Sequence, residues 1–370
     1  MEEFGAGILG QSKSVRTLNK IIFSKRIPHA LLFNGNSGVG KHLVAVEFAK
    51  YLFQSHNLHI SEQVLNKITY LSEPYIKYVM PLPRGKNENS DDSPLDKLDE
   101  SQIKEINEEI YKKISNPYYK ITVDKANNIK INSIRDIRKF ISMNYSDIPW
   151  RFIIISDAHL MTEDSQNALL KSLEEPPEGI IFILLTSNKE KLLSTILSRC
   201  WHVDFEPLDF QTIIEILTDY FKLTKHDAER VALFAGGSTH TALELIENDI
   251  DELIEKTISL LRFSLVKWYE SAFKEITYIL KNYPAPVFVQ MLKMVLLWFT
   301  DTIKNKIEFR DYYFKNQLDT IEKFNEKFKD ADLSRIFTTV ENLIEAINRN
   351  VNLNIIASNI IFELGTISQR

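Results

Sequence analysis

The fold of this chain is decided by residues 152–205, which read FIIISDAH (152–159), LMTEDSQNALLKSLEEPPEG (160–179), IIFILLTSN (180–188) and KEKLLSTILSRCWHVDF (189–205). Two apolar runs, 152–155 and 180–185, are short, rich in isoleucine and almost uninterrupted. Such runs are typical of strands that are buried on both faces of a parallel sheet. Between them, Thr162 can cap a helix that Pro176 and Pro177 would end. The stretch therefore predicts a parallel β-α-β unit.

A glycine-rich loop with phosphate-binding spacing lies near the start of the chain. Residues 29–33 predict a buried strand, and apolar residues at helical intervals follow the loop. The loop consists of Gly35, Asn36, Ser37, Gly38, Val39, Gly40 and Lys41, and His42 comes directly after it. In a strand-loop-helix context the backbone N–H groups of such a loop wrap phosphates, and the lysine reaches the outer ones. We therefore expect a phosphate-binding P-loop here.

The sequence LLKSLEEPP followed by TILSRC resembles the signature of bacterial clamp-loader ATPase subunits, the AAA+ proteins that open a sliding clamp on DNA. The match runs in order from the strand at 152 to Ser198-Arg199-Cys200. It implies an α/β fold, with an AAA+ P-loop domain and its parallel sheet over residues 1–207. That domain would carry an insert at about 80–115. A small helical lid over 208–250 and an all-α collar over 251–370 would follow.

Four positions depart from the family pattern at the nucleotide site. His42 stands where a Ser or Thr would hold Mg²⁺, and imidazole is a poor ligand for so hard an ion. Ser156 stands where the family has a metal-ordering Asp, and Asp157 where it has a water-activating Glu. His240 stands where an arginine of the lid would touch the nucleotide. We therefore expect ATP or ADP to bind weakly or not at all, and hydrolysis to be compromised.

Arg199 keeps the family pattern. In the resembled proteins this arginine points into the ATP site of a neighbouring subunit, where it stabilises charge on the transferred phosphate. From the residues alone, Arg199 could instead pair with a local carboxylate such as Glu206. The adjacent Cys200 is interpreted as a small buried residue and not as a nucleophile.

Composition narrows the function classes. The 370 residues are 44% hydrophobic and 26% charged, with a net charge of -5, which gives no sign of a general polyanion-binding protein. The single cysteine excludes an internal disulfide and any cysteine-rich zinc site. No signal-peptide layout is evident, and the most apolar helical stretch, 291–299, is too short to cross a bilayer. We expect a cytoplasmic protein without zinc or membrane contact.

The regions outside the two motifs predict an insert and a helical C-terminal part. Residues 80–100 have no apolar periodicity and predict a solvated loop, after which Ser101 would cap a helix. Only two of the 12 prolines follow Pro207, which predicts that the later chain is nearly all helical. The ending 348–353 resembles the close of a collar domain. Aromatic residues of this part, such as Trp268 and Trp298, could be core or interface.

A retained arginine finger beside a degraded nucleotide site resembles the delta-prime subunits of bacterial DNA polymerase III clamp loaders. The resemblance implies a non-hydrolysing wall of the ring, with the ATPase subunit and the delta subunit as partners. It would reach the sliding clamp and primer-template DNA through the complex. Two alternatives remain open at this point: an active ATPase subunit of the same loader, and a nucleotide-binding, DNA-binding module that acts alone.

Overall fold

A computed structural model describes residues 3–56, 60–89, 91–143, 145, 147–329, 331, 333–349 and 351–367. The described chain forms two compact units. The first extends to Ala232 and includes Gly236–Thr241, and the second comprises Leu233–Ala235 and the residues from Ala242 onward. The sequence-based boundaries near residues 207 and 250 stay predictions, because the division between the two units falls between them.

A five-stranded parallel sheet forms the centre of the first unit. The strands lie in the spatial order β2-β3-β4-β1-β5. The neighbours β2-β3 and β3-β4 are consecutive in the sequence, whereas β4-β1 and β1-β5 are not. The strands are β1 (Ala30–Asn34), β2 (Ile76–Val79), β3 (Arg151–Ile155), β4 (Ile180–Thr186) and β5 (Trp201–Asp204). Every residue of β3 and β4 is buried. The prediction of strands buried on both faces is therefore confirmed for the stretch that decides the fold.

Nine helices lie in the first unit as the structure describes it, with several short turns between them. They are α1 (Ser12–Phe23), α2 (Lys41–His56), α3 (Glu62–Thr69), α4 (Glu100–Ser115), α5 (Ile131–Ser142), α6 (Glu163–Glu174), α7 (Ser194–Leu197), α8 (Phe210–Phe221) and α9 (Lys225–Ala232). The crossover α6 joins β3 to β4, which pair in parallel. Thr162 caps α6, as predicted, because its hydroxyl oxygen accepts a hydrogen bond from the Ser165 N–H at 3.2 Å.

The helix α4 begins differently from the sequence-based expectation. Its cap is Asp99 and not Ser101, which lies inside the first turn. The Asp99 carboxylate accepts from the Gln102 N–H, and the Gln102 side chain accepts from the Asp99 N–H. This reciprocal pair is a capping box, which satisfies two backbone donors at once. A carboxylate also suits the positive N-terminal end of the helix.

The insert 80–100, of which Ser90 lies outside the described residues, is irregular as predicted, but it is not simply solvated. Met80 and Leu98 pack with residues of α4 in a small apolar cluster of their own. Glu88 is buried and pairs with Lys130 at 2.8 Å, while the Asn132 amide donates to the same carboxylate at 2.6 Å. These contacts link residues far apart in sequence. No local periodicity reports them, which is why the expectation of a fully solvated loop was wrong.

The described residues of the second unit are mainly helical, as predicted. Besides most of α10 (Thr239–Glu247), its helices are α11 (Ile250–Leu265), α12 (Tyr269–Asn282), α13 (Ala285–Lys306), α14 (Leu318–Lys327), α15 (Ser334–Asn348) and α16 (Leu353–Thr366). Trp298 and Phe299 on α13 are core residues, with 1% and 0% of their surfaces exposed, whereas Trp268 is 65% exposed. In the predicted collar ending 348–353, Asn350 lies outside the described residues.

One helix corrects an expectation about length. The sequence suggested an apolar stretch of nine residues that is too short for a bilayer, but α13 has 22 residues. By length and composition alone it could cross a membrane. In the structure, 61% of its most apolar window is buried against the protein, as in the core helix of a soluble domain.

Candidate functional site

The P-loop connects the end of β1 to the start of α2, the position that a phosphate cradle requires. Gln11, which precedes α1, is 2% exposed, and its side chain forms hydrogen bonds with the P-loop. Its amide nitrogen donates to the Val39 carbonyl oxygen at 3.1 Å and to the Glu206 carbonyl oxygen at 2.9 Å. The Gln11 oxygen accepts from the Glu206 N–H at 3.2 Å. One buried amide thus ties the P-loop to the segment that follows β5.

Lys41 folds back onto its own loop. Its ammonium donates to the carbonyl oxygens of Gly35 and Asn36, each at 2.6 Å. Burial lowers the pKa of Lys41 to about 8, and the neighbouring Asp157 carboxylate opposes that shift. The lysine is therefore a charged group held inside the loop by backbone oxygens.

His42 is buried in the first turn of α2, with 7% of its surface exposed. Its ring meets the ring of Tyr78 edge-on, with 5.6 Å between centroids. Burial, together with the nearby Lys113 charge, holds the pKa of His42 well below its usual value. A buried neutral imidazole offers no oxygen ligand to Mg²⁺, in agreement with the chemistry expected from the sequence.

Ser156 and Asp157 follow β3 at the carboxyl edge of the sheet, where ligands of parallel sheets bind. Both side chains line the same cavity as Lys41 and His42. Asp157 has a left-handed backbone, with φ of 50°, which Asp tolerates better than most residues. Asp157 therefore sits in a tight turn, close enough to Lys41 for its carboxylate to raise the pKa of that lysine against the effect of burial.

The start of α10 lies directly against the P-loop. The Ser238 hydroxyl donates to the Ser37 carbonyl oxygen at 2.8 Å, and the Thr239 hydroxyl donates to the Gly38 carbonyl oxygen at 2.6 Å. Gly38 has φ of +76°, and a β-carbon there would lie 2.6 Å from the His240 nitrogen. Glycine is therefore needed for this contact as well as for the turn.

A second segment, 116–121, covers the P-loop from the side of the insert; we call it the covering segment. The Tyr118 ring lies over Gly40, since a β-carbon at Gly40 would be 3.3 Å from it. Lys113, on the last turn of α4, holds the segment by donating to the carbonyl oxygens of Pro117 at 2.9 Å and Tyr119 at 2.6 Å.

The covering segment also contacts His240, the residue that the sequence places at the lid position. The Lys120 ammonium lies 2.9 Å from Nε2 of His240. A lysine ammonium only donates, so Nε2 of His240 is the acceptor in this contact. His240 lies beside the P-loop, because its backbone nitrogen would be 2.6 Å from a β-carbon at Gly38, and its side chain contacts Lys120 of the protein itself. Its assignment to the lid position stays a prediction.

Sequence reasoning missed the covering segment altogether. Lys112 and Lys113 are adjacent in the sequence, and nothing in the sequence distinguishes their roles. Only their places on the helix separate them, since Lys112 pairs with Glu109 at 2.7 Å while Lys113 turns toward the P-loop cavity. The one available signal was the pair Pro117-Tyr118, which ends the helix with a proline and a large aromatic.

The cavity left among these groups is small, with a volume of about 60 Å³. Sites for nucleotide-sized ligands usually enclose about 300 Å³ or more. Lys113 also lines this cavity, beside the positions where the metal-side ligands are weakened. In this arrangement the residues do not fit a Mg²⁺–nucleotide complex.

Arg199 is not among the residues that line this cavity. It follows α7, and its guanidinium contacts Glu174 at 2.8 Å and the Thr195 carbonyl oxygen at 2.9 Å. The alternative from sequence was a pairing of Arg199 with a local carboxylate such as Glu206. The structure shows a pairing of this kind, but with Glu174, since Glu206 pairs with Lys13 at 3.0 Å. The Arg199 side chain is 35% exposed, so its fork can still be reached from outside the chain.

Cys200 and the histidines show no sign of metal chemistry in the described part of the chain. Cys200 is 8% exposed, and burial raises the pKa of its thiol to about 12, as suits an inert core residue. Among the described residues, no group of three or more His, Cys, Asp or Glu side chains is placed to hold a metal ion. The absence of structural zinc stays a prediction.

Comparison with known proteins places the chain in a family. A family model described as DNA polymerase III, delta subunit, matches residues 10–209, which is more than half of the chain. The tau subunit of DNA polymerase III from Bacillus subtilis (strain 168) is 29% identical over 248 residues, covering 66% of this chain and 37% of that protein. The gamma subunit from Buchnera aphidicola subsp. Schizaphis graminum is 30% identical over 246 residues, covering 65% and 57%.

The chain thus spans well under two thirds of the length of these curated relatives. Among solved structures, a DNA polymerase III gamma subunit-related protein from Thermotoga maritima aligns with a TM-score of 0.40 and 16% identity, over 96% of this chain and 100% of that one.

Proposed function

Since the chain belongs to the DNA polymerase III delta-subunit family of AAA+ clamp-loader proteins, we propose that it is a non-hydrolysing subunit of the delta-prime type. It acts in DNA replication as part of a polymerase holoenzyme in the cytoplasm. Its direct partners are the ATPase subunit and the delta subunit of the loader. The sliding clamp and primer-template DNA are reached through that assembly.

The observation that carries this proposal is the covered P-loop. Lys41 bonds to its own loop, Tyr118 lies over Gly40, and Thr239 bonds to Gly38. A nucleotide would have to displace all three contacts. The weakened metal ligands give little binding energy in return, since His42 is buried and neutral. The balance therefore favours a subunit whose P-loop domain is a rigid structural part.

The chemical role of the subunit lies in Arg199. A guanidinium keeps its charge at working pH and presents a planar fork that matches phosphate oxygens. In the assembled ring it would leave Glu174 and reach the ATP of the neighbouring subunit, where such fingers raise the rate about a thousandfold or more. The subunit then controls hydrolysis without performing it.

One observation favours the alternative of an active ATPase subunit: the curated relatives named above are tau and gamma subunits. Equilibrium binding and turnover of the purified full chain separate the two. We expect no measurable Mg²⁺-dependent ATP hydrolysis, and binding of ATP or ADP that is weak or undetectable. Turnover near one per second that Lys41→Ala abolishes would support the ATPase subunit instead.

A further inference from the structure

The positive charges near the start of the chain are not balanced by negative ones. The chain has 50 acidic residues, yet none of them lies between Glu3 and Glu47. The same stretch contains six Lys and Arg residues, of which only Lys41 belongs to the P-loop. The net charge of -5 for the whole chain therefore conceals a local excess of positive charge.

Four of these cations are exposed on α1 and in the turn that follows it. They are Arg16 and Lys20 on the helix, and Lys25 and Arg26 after its end. Among the residues that the structure describes, none of the four forms an ion pair, whereas the nearby Lys13 pairs with Glu206 at 3.0 Å. The four charges are therefore available to a ligand of opposite sign.

An aromatic side chain lies on the same face of α1. Phe23 follows Lys20 by three residues and Arg16 by seven, so that the three side chains share one side of the helix. Phe23 is 70% exposed. Cations interleaved with an exposed aromatic ring are typical of surfaces that bind single-stranded nucleic acid, since unpaired bases stack on the ring. The pattern therefore fits a polyanion that also carries free bases.

The helix that presents these side chains is fixed to the rest of the first unit. The Ser14 hydroxyl donates to the Asp204 carbonyl oxygen of β5 at 2.7 Å. The Asn19 amide donates to the Phe4 carbonyl oxygen at 2.9 Å. The exposed face of α1 is thus pre-organised, and a ligand that binds to it pays less for ordering the protein.

A lipid surface fits this helix less well than DNA. Helices that bind in the plane of a membrane insert a broad apolar face. On α1 the apolar residues Leu18 and Ile21 are already buried in the protein, with 0% and 5% of their surfaces exposed. One exposed phenyl ring does not replace such a face.

We propose that Arg16, Lys20, Lys25 and Arg26, together with the Phe23 ring, form a direct binding surface for single-stranded DNA, which we call the α1 basic face. The cations contact backbone phosphates and the ring stacks on an unpaired base, so binding does not depend on base sequence. This surface goes beyond the proposed function, in which DNA is reached through the assembled loader. It uses neither the P-loop nor Arg199.

The test measures binding of the full chain to a fluorescein-labelled thymidine oligomer of about 20 nucleotides, which exceeds the usual site sizes for single strands. The oligomer has a free 5′-hydroxyl end, and fluorescence anisotropy is recorded at several NaCl concentrations. For a single strand, each neutralised phosphate contributes about -0.7 to the slope of log K against log salt concentration. Four contacts therefore predict a slope of about -3.

Two variants separate the charges from the ring. Arg16→Gln combined with Lys20→Gln should weaken binding about tenfold or more at ~0.1 M salt and reduce the slope to about -1.4, because two contacts remain. Phe23→Leu should weaken binding of the single strand several-fold with an unchanged slope. It should not alter binding of a duplex of the same length, whose bases are already stacked.

A matched control removes the same amount of charge from another part of the first unit. Lys104 and Lys125 have side chains that are 78% and 82% exposed. Lys104→Gln combined with Lys125→Gln should bind the oligomer like the wild type. All of these side chains are exposed, so the unfolding temperatures of the variants should stay close to that of the wild type.

Three results would overturn the proposal. One is equal affinity and equal salt slope in the wild type and the Arg16→Gln, Lys20→Gln variant. Another is a duplex bound as tightly as the single strand, with no effect of Phe23→Leu. The third is stronger binding to phosphatidylserine vesicles or to polyglutamate than to the oligomer, which would assign the α1 basic face to a membrane or to an acidic protein.

The outcome is separable from that of the proposed function. Binding is measured on the isolated chain and requires no ATP hydrolysis. Absence of binding to the oligomer contradicts the α1 basic face alone, whereas Mg²⁺-dependent ATP turnover by the chain contradicts the proposed function alone.

Discussion

Thr239 donates a hydrogen bond from its hydroxyl to the carbonyl oxygen of Gly38, at 2.6 Å. This bond joins the first turn of α10 to the phosphate loop without any ligand between them. It requires that residue 38 has no side chain, since a β-carbon would lie 2.6 Å from both Thr239 Oγ1 and the His240 nitrogen. The contact between α10 and the P-loop therefore depends on the backbone at Gly38 as well as on the Thr239 side chain.

Gly38→Ala should destabilise the chain more than Gly236→Ala. Both glycines have positive φ, +76° and +56°, so both substitutions carry a backbone cost of about 1–3 kcal/mol. At Gly236 a β-carbon meets nothing within 4 Å, whereas at Gly38 it meets the backbone of α10. We expect Gly38→Ala to cost about 1–3 kcal/mol more, from the overpacking. Equal unfolding midpoints in urea for the two variants would contradict the close contact.

Arg151 should be among the most sensitive polar positions of the core. Its guanidinium donates to the carbonyl oxygens of Phe140, Ile141 and Met143 at 2.9, 3.2 and 3.0 Å, and so closes the end of α5. Arg151→Met leaves these acceptors unpaired, and we expect a loss of about 2–4 kcal/mol of unfolding free energy.

Arg138→Met is the matched control, because that guanidinium is exposed and donates to one carbonyl oxygen, that of Ala168. It should cost about 1 kcal/mol or less. Comparable losses for the two arginine variants in chemical denaturation would show that the buried fork of Arg151 has no special role.

Glu109 should give the chain part of its stability at neutral pH. Burial disfavours its charge, but hydrogen bonds from Lys112, the Thr122 N–H and Tyr119 together hold the pKa of this carboxyl below its usual range. Because the pKa of Glu109 is lower in the folded chain than in the unfolded chain, its carboxylate stabilises the fold at pH values above the unfolded pKa of about 4.3. This stabilisation is lost as the pH falls through the folded-state pKa.

Glu109→Gln should therefore lower the unfolding temperature at pH 7 and flatten its acid dependence below about pH 4.3. Glu108→Gln, on the exposed side of the same helix with a side chain that is 59% exposed, should leave both nearly unchanged. If the unfolding temperature of Glu109→Gln depends on pH between 3 and 7 as that of the wild type does, Glu109 does not stabilise the fold in this way.

The purified protein should contain no structural zinc. The chain has one cysteine, which is buried and whose thiol pKa is raised, whereas cysteine-rich structural zinc sites need several thiolates. Elemental analysis of protein purified without chelator should give far less than one zinc per chain. One tightly held zinc per chain would refute the prediction.

The sequence predicts the elements of this fold better than the state of its site. Apolar runs and the Thr162 cap place β3, α6 and β4 because those signals are local. The P-loop was predicted for the same reason. The covering segment was not predicted, because Tyr118 packs over Gly40, which is more than 70 positions away in the sequence, and no periodic signal reports such a contact.

Arg151, the first residue of β3, is a second case in which the sequence does not reveal a long-range contact. In the sequence it only precedes an apolar run, yet in the structure it is 8% exposed and closes a helix. Buried polar groups are specified by partners that come from other elements, and a single sequence does not name those partners. The state of a site is therefore decided by packing that only the structure shows.

The measurement that tests the central claim most directly is the ATPase rate of a reconstituted loader that carries Arg199→Ala in this subunit. The account predicts normal folding and assembly with a lower DNA- and clamp-stimulated rate, and little rescue by Arg199→Lys, because a point charge lacks the fork. Glu174→Gln removes only the local partner of Arg199 and should leave the rate intact. A loader with Arg199→Ala that hydrolyses ATP and loads clamps like the wild type would contradict the account.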